Sequence, residues 1–167
     1  MSPPPDGWTD VSGGTTVLAG FLPTKTPIVG TNYTPRDVLA SQHLHGQPIG
    51  MVISLCNTRA YYNPTEFTHQ GVKWNHIPCR GYNQVPTEAQ VAEFFHIVNE
   101  WWSHRPRDVI VIHCTHGLNR TGYFISRYLM ATRGIPARQA LDLFGLIRPP
   151  GIQRQHLHTS LLKALAH

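Results

Sequence analysis

Asp108-Val-Ile-Val-Ile-His113-Cys114-Thr-His-Gly-Leu-Asn-Arg120-Thr-Gly-Tyr-Phe-Ile-Ser-Arg-Tyr-Leu-Met-Ala131 decides the fold. The β-branched run up to His113 reads as a buried strand, and Tyr123 to Ala131 reads as a helix. A tight turn between a strand end and a helix N-terminus leaves backbone N–H groups unpaired and pointing into the turn, which makes an anion site. A cysteine in that turn feels the same positive potential, so its thiolate is favoured. The reading is a nucleophilic Cys114 aimed at a bound phosphate.

Each residue type suits that chemistry. Cys114 attacks phosphorus and becomes a phosphocysteine. Arg120 holds two phosphoryl oxygens in its planar fork, which a lysine cannot match. The backbone N–H groups of Thr115, His116, Gly117, Leu118 and Asn119 ring the remaining oxygens, and Gly117 lets the loop turn without a Cβ clash. Thr121 lies one residue past the arginine, where its hydroxyl can stabilise the sulfur as nucleophile and as leaving group. His113 and Asn119 brace the loop by hydrogen bonds. His116 fits either loop support or substrate contact.

Strands alternate with helices along the rest of the chain. The pattern predicts strands over 16–21, 49–56 and 73–79, with Pro23 to Pro27 as a turn or extended segment. A short helix is expected over 34–42, and a helical turn over 64–69. Thr87-Glu-Ala-Gln90 is a capping box opening an amphipathic helix through Val91, Phe94, Phe95, Val98, Trp101 and Trp102, whose aromatics read as core rather than as a base-stacking surface. Two more helices follow, one opening at Pro136 with Ala140, Leu141, Phe144 and Ile147, the other carrying Leu157, Leu161, Leu162 and Leu165. This alternation argues an α/β domain of three layers, a central, mostly parallel sheet flanked by helices. The loop at Cys114 then lies at the carboxyl end of a strand, where such sheets place ligands. Residues 1–15, rich in Pro, Gly, Ser and Thr, read as a flexible tail, and 16–167 as a single domain.

A chain of 167 residues can bury a core of its own. No apolar run reaches the length of a membrane span, and the N-terminus shows no signal-peptide pattern, so an intracellular protein with no membrane partner is expected. Three cysteines without framework spacing fit a reducing compartment. Fourteen Lys and Arg against nine Asp and Glu give a net charge of +5, which suits phosphate-rich partners such as RNA. Eleven histidines are present, but His43/His45 and His156/His158 lack the company of a zinc site. No metal and no cofactor are expected.

The run His-Cys-Thr-His-Gly-Leu-Asn-Arg-Thr-Gly, 113–122, resembles the cysteine-phosphatase superfamily, and within its dual-specificity-like enzymes the RNA 5′-triphosphatase branch. That branch includes the metazoan capping-enzyme triphosphatase domain, the baculovirus phosphatase and the RNA/RNP-complex-interacting phosphatase. Phe21-Leu-Pro-Thr-Lys-Thr-Pro27, Leu55-Cys-Asn-Thr-Arg-Ala-Tyr-Tyr62, Gly122-Tyr through Arg127-Tyr-Leu129, and Arg154-Gln155 are similar to further segments of it. The resemblance runs from about Trp8 to Leu162, with no guanylyltransferase segment after it, so the stand-alone phosphatases are the expected comparison. It implies a dual-specificity-phosphatase-like fold, Cys114 as nucleophile and Arg120 as phosphate clamp. It also implies metal-independent removal of the γ- and β-phosphates of RNA 5′ ends. Arg154, Lys25 and Arg59 become candidate substrate contacts. The RNA partner is one with a triphosphate or diphosphate end, acted on by a monomer.

One departure bears on substrate. Protein phosphatases of this class carry an Asp general acid on a loop before the cysteine, whereas Arg80-Gly-Tyr-Asn-Gln-Val-Pro-Thr87 contains neither Asp nor Glu. The baculovirus and capping members have Asp after the Tyr-Tyr pair, and this chain has Asn63. Glu66 and Glu88 are the remaining stand-ins. The competing functions are a dual-specificity protein phosphatase acting on phosphotyrosine, phosphoserine or phosphothreonine, and a non-catalytic phosphate-binding module. An intact Cys114, Arg120 and Thr121 argue against the last.

Overall fold

The computed structural model describes residues 3–164. Four strands, β1 (Phe21–Lys25), β2 (Ile49–Ser54), β3 (Lys73–His76) and β4 (Val109–Cys114), form one sheet in the order β1-β4-β2-β3. Every pairing is parallel, so all four carboxyl ends lie along one edge. The sheet is flanked by α1 (Pro35–Ala40), α2 (Gln42–His45), α3 (Thr65–Thr68), α4 (Glu88–His104), α5 (Asn119–Arg133), α6 (Ala137–Ile147) and α7 (Gln155–Ala164).

The period of two in a strand sorts the core onto two faces. Ile110 and Ile112 of β4 join Phe21, Met51, Ile53 and the helical residues Phe94, Phe124 and Phe144 on one face. Val109 and Val111 join Leu22, Val52, Val38 and Phe67 on the other. β4 is fully buried on both faces because it lies between β1 and β2, which is why it reads as an unbroken apolar run. The capping box at Thr87 and Gln90 forms with both reciprocal bonds, and α4 buries Val91, Phe94 and Val98. Leu165, the last apolar position expected on α7, lies outside the described residues.

Two expectations near the N-terminus change. The first strand is not 16–21 but Phe21–Lys25, running through Pro23. β1 is an edge strand paired only with β4, and a proline with no N–H to give is tolerated there. Leu18 and Phe21 instead close a tight turn, exchanging N–H···O bonds of 2.8 and 2.9 Å across Ala19 and Gly20, which both have positive φ.

The second change is the tail, for a segment expected to be free is tied to the domain at Trp8 to Ser12. Trp8 is 1% exposed, and its indole N–H donates to the Thr26 carbonyl at 2.8 Å. The buried Lys25 ammonium donates to the Trp8 and Val11 carbonyls at 3.0 and 2.7 Å and sits 3.8 Å from the Trp8 ring centroid. Buried cations need acceptors, and the 8–12 segment supplies them as a strap.

Candidate active site

Cys114 is the last residue of β4 and is 2% exposed. The chain turns through Thr115 to Leu118 and enters α5 at Asn119. Gly117 has φ +73°, and a Cβ there would collide with the Thr24 carbonyl, so this turn accepts only glycine. Gly122 is set by space: a Cβ would lie 2.6 Å from both Phe144 and Ile152.

The sulfur is surrounded by donors. The Thr121 hydroxyl donates to Cys114 Sγ at 3.1 Å. Burial pushes the Cys114 thiol up, but the Arg120 guanidinium, the Thr121 hydroxyl and the backbone N–H groups of Thr121 and Gly117 outweigh it, and the net shift is downward. Cys56 and Cys79 are buried too, and burial pushes each up to about 12. One cysteine of three is thus prepared as a thiolate.

Arg120 is held over the loop by its own donors. Nη1 donates to the Cys79 carbonyl at 2.8 Å and the Leu55 carbonyl at 3.4 Å, and Nη2 to the Thr115 hydroxyl at 2.9 Å. His113 points to the opposite face of β4. Its Nε2 lies 2.7 Å from the Tyr62 hydroxyl, which in turn accepts from Trp74 Nε1 at 2.9 Å. With Trp74 as donor, the Tyr62 proton goes to His113 Nε2, which leaves Nδ1–H facing the Cys114 carbonyl at 3.3 Å. Burial lowers the His113 pKa to about 3, so the imidazole braces the loop in its neutral form.

Arg148, which no motif or spacing singles out, holds the loop from below. It is 4% exposed. Its guanidinium donates to the Gly117 carbonyl (2.9 Å), the His116 carbonyl (2.9 Å) and the backbone and hydroxyl oxygens of Ser12 (2.9 and 3.1 Å). Thr26 N–H donates to the Thr115 carbonyl. Three successive loop carbonyls are thus bonded to donors outside the loop. Asn119 Oδ1 accepts from the N–H groups of Gln153 and Arg154 at 2.8 and 3.0 Å, fixing the entry to α7 beside the loop.

The loop floors a cleft of about 1050 Å³, walled by residues 56–58 after β2, 80–84 after β3, Arg154 and Leu157, and residues 3–6 of the N-terminal segment. Among the described residues its cationic lining is Arg80, Arg120 and Arg154, and Asp6 is its one carboxylate. The Asp6 carbonyl accepts from His116 Nε2 at 2.7 Å, so His116 ties the N-terminal segment to the loop.

Two candidate contacts lie elsewhere. Lys25 is enclosed by the strap, as described, and does not line the cleft. Arg59 donates to His76 Nδ1 at 3.2 Å, lies 5.2 Å from the Trp74 ring and does not line the cleft. The stand-in acids are also elsewhere. Asn63 Oδ1 accepts from Thr65 N–H at the start of α3. Glu88 makes a two-pronged ion pair with Arg127 at 2.8 and 2.7 Å, whose hydrogen bonds hold its carboxyl below the usual range. Neither these two nor Glu66 lines the cleft. Among the described residues no three His, Cys, Asp or Glu side chains gather to hold a metal ion.

Residues 33–166 match the model of the dual specificity phosphatase catalytic domain. The chain belongs to the dual-specificity phosphatase family. This phosphatase is 33% identical to the RNA/RNP complex-1-interacting phosphatase homolog of Caenorhabditis elegans, over 86% of its own length and 67% of the relative's. It is 40% identical to the tyrosine-protein phosphatase of Autographa californica nuclear polyhedrosis virus, over 76% of each chain. The mRNA-capping enzyme of Caenorhabditis elegans is 32% identical over 90% of this chain but only 26% of that enzyme. Among solved structures, the phosphatase resembles Tk-PTP in its active form, with a TM-score of 0.67 at 22% identity over 92% of this chain and 95% of the other. It also resembles DUSP15, with a TM-score of 0.69 at 18% identity over 92% and 88%. The phosphatase is of the cysteine-dependent class, and no helix among its described residues is long and apolar enough to cross a membrane.

Proposed function

We propose that this phosphatase removes the γ-phosphate, and then the β-phosphate, from RNA 5′ ends through a phosphocysteine intermediate and without a metal. One observation carries the reading: three arginines from three separate segments line the cleft around Cys114, against a single carboxylate. That charge suits a chain of phosphates more than one phosphoryl group. Relatives named as RNA/RNP-complex-interacting phosphatase and mRNA-capping enzyme lend it support.

In the first step Cys114 Sγ attacks the terminal phosphorus. The S–P bond forms, the P–O bond to the next phosphate breaks, and the shortened RNA leaves with both electrons of that bond. Arg120 and the loop N–H groups neutralise the equatorial oxygens. In the second step water attacks phosphorus, the S–P bond breaks, and the thiolate returns to the Thr121 hydroxyl while the water gives up a proton to solvent. An anhydride leaving group is already a stable anion near neutral pH, so the lack of an acid in the 80–87 loop costs little. A tyrosine leaving group has a pKa near 10 and benefits from a proton donor by roughly 10²–10⁴-fold. Every group invoked comes from one chain, so a monomer suffices, and the RNA substrate places the work in the nucleus or cytoplasm.

Asp6 favours a second reading, a protein phosphatase with its acid on the N-terminal segment. Phosphate release from triphosphate-ended RNA and from a phosphotyrosine peptide separates the two. The expected kcat/KM ratio is at least ~10² in favour of RNA. Equal or better activity on the peptide, abolished by Asp6→Asn, would establish the second reading instead.

A further inference from the structure

Tyr82 lies in the cleft wall in an unusual state. Its side chain is 79% exposed, its φ is +57°, and its hydroxyl has no hydrogen-bond partner among the described residues. The Gln84 N–H donates to the Gly81 carbonyl at 3.2 Å, so Tyr82 is the first central residue of a four-residue turn. A positive φ at that place suits glycine or asparagine, and Gly81 and Asn83 stand on either side. A tyrosine there carries backbone strain, and its ring gains no burial in return. Strain of this kind persists where the surroundings impose it, and it gathers at ligand clamps.

The surroundings do impose it. The loop is pinned at one end by Arg120 on the Cys79 carbonyl and by Gln90 Nε2 on the Pro78 carbonyl at 3.0 Å. At the other end His156 Nε2 holds the Gln84 carbonyl at 3.1 Å. The Arg154 guanidinium lies 5.3 Å from the Tyr82 ring centroid, and the Arg154 backbone is fixed by Asn119 beside the phosphate loop. An aromatic face and a planar cation thus sit together on the cleft wall, joined by rigid chain to the group that holds phosphate.

We infer that Tyr82, backed by Arg154, is a specificity-determining platform on which the first nucleobase stacks while the 5′ phosphates enter the loop. The inference rests on the RNA 5′-end reading and deepens it. Stacking uses the π-face that every base has, so the platform selects a nucleotide over a bare polyphosphate without selecting a sequence.

The test compares wild type with Tyr82→Ala and Tyr82→Phe on triphosphate-ended RNA, inorganic tripolyphosphate and a phosphotyrosine peptide. Tripolyphosphate offers the same anhydride with no base. The alanine variant is expected to lose about tenfold in kcat/KM on RNA, mostly through KM. It should stay within about twofold on tripolyphosphate, and phenylalanine should restore the RNA activity. Equal losses on RNA and tripolyphosphate would make Tyr82 a loop-shaping residue and overturn the inference. So would an unchanged RNA reaction, or a loss confined to the peptide. Failure of the underlying reading shows separately, in a wild-type preference for the peptide.

Discussion

The two loops that face each other across the cleft are built in opposite ways. In the phosphate loop the carbonyls of Thr115, His116 and Gly117 are each bonded to a donor from a distant part of the chain, and Gly117 and Leu118 are buried. In the facing loop Arg80, Tyr82 and Asn83 are exposed, and the fixed points are at its ends. On the proposed mechanism the first arrangement fixes where phosphorus and sulfur meet, to the tolerance that a displacement reaction needs. The second leaves side chains free to be chosen for what the substrate carries beyond its phosphate. Changes on the first side are therefore expected to abolish or cripple turnover on every substrate, and changes on the second to redistribute it.

The largest effect belongs to the sulfur. Cys114→Ser should lower phosphate release by at least ~10³-fold on all substrates with its melting temperature unchanged, because an unactivated hydroxyl is far less ionised than the thiolate. Arg120→Lys should be nearly as severe, since an ammonium cannot hold two oxygens in a fork. Turnover within a few-fold of wild type in either variant would remove the contrast between the loops.

Arg148→Met tests whether the loop must be tied from outside. It strips donors from two loop carbonyls and from Ser12 in a buried place. The expected cost is about 3 kcal/mol of stability, read as a lower urea midpoint. A drop in kcat of about 10²-fold should accompany it, as geometry loosens. Lost stability with kcat intact would show that the loop keeps its shape alone.

His113 sharpens the same side through pH. The unfolded chain takes up a proton at this imidazole near its ordinary pKa of 6.5, and the folded chain refuses it until about 3. The unfolded state binds more protons between those values, so this contribution is complete above 6.5 and drains as pH falls toward 3. The urea midpoints of wild type and His113→Gln should lie furthest apart at neutral pH and approach each other at about pH 5. A gap that widens on acidification would contradict the neutral, buried imidazole.

The smallest effect is expected from Asn63→Asp. A carboxylate caps Thr65 N–H as well as an amide does, and position 63 does not line the cleft. RNA cleavage should stay within about twofold of wild type, against the ~10² that a working general acid contributes.

The strand, turn and helix around Cys114 were legible because they are local. A β-branched run, a positive-φ glycine and an apolar helical face fall within 24 consecutive residues, 108–131. What the sequence hid are the partners that close the site from far away. Arg148 meets Gly117 across 31 residues and Ser12 across 136, and no periodicity announces a side chain whose partners are backbone oxygens. Lys25 is a candidate substrate contact through the resemblance of the 21–27 segment, and its pairing in register with Cys114 puts it close to the site. Its ammonium is nevertheless spent on carbonyls of the strap. Trp8 was the available signal: a lone large aromatic in a Pro- and Gly-rich stretch has to be buried somewhere, and the chain around it follows.

The strap also bears on how the enzyme is handled and switched. Ser12, Val11 and Trp8 give acceptors to two buried cations, and Pro3 to Asp6 finish one wall of the cleft. A protease that nicks the chain just after Ser12 would spare every residue of the Cys-to-Arg loop and still inactivate the enzyme, since Lys25 would lose its two carbonyl acceptors and Arg148 its bonds to Ser12 beneath the loop. A purification tag cleaved too far inward would do the same.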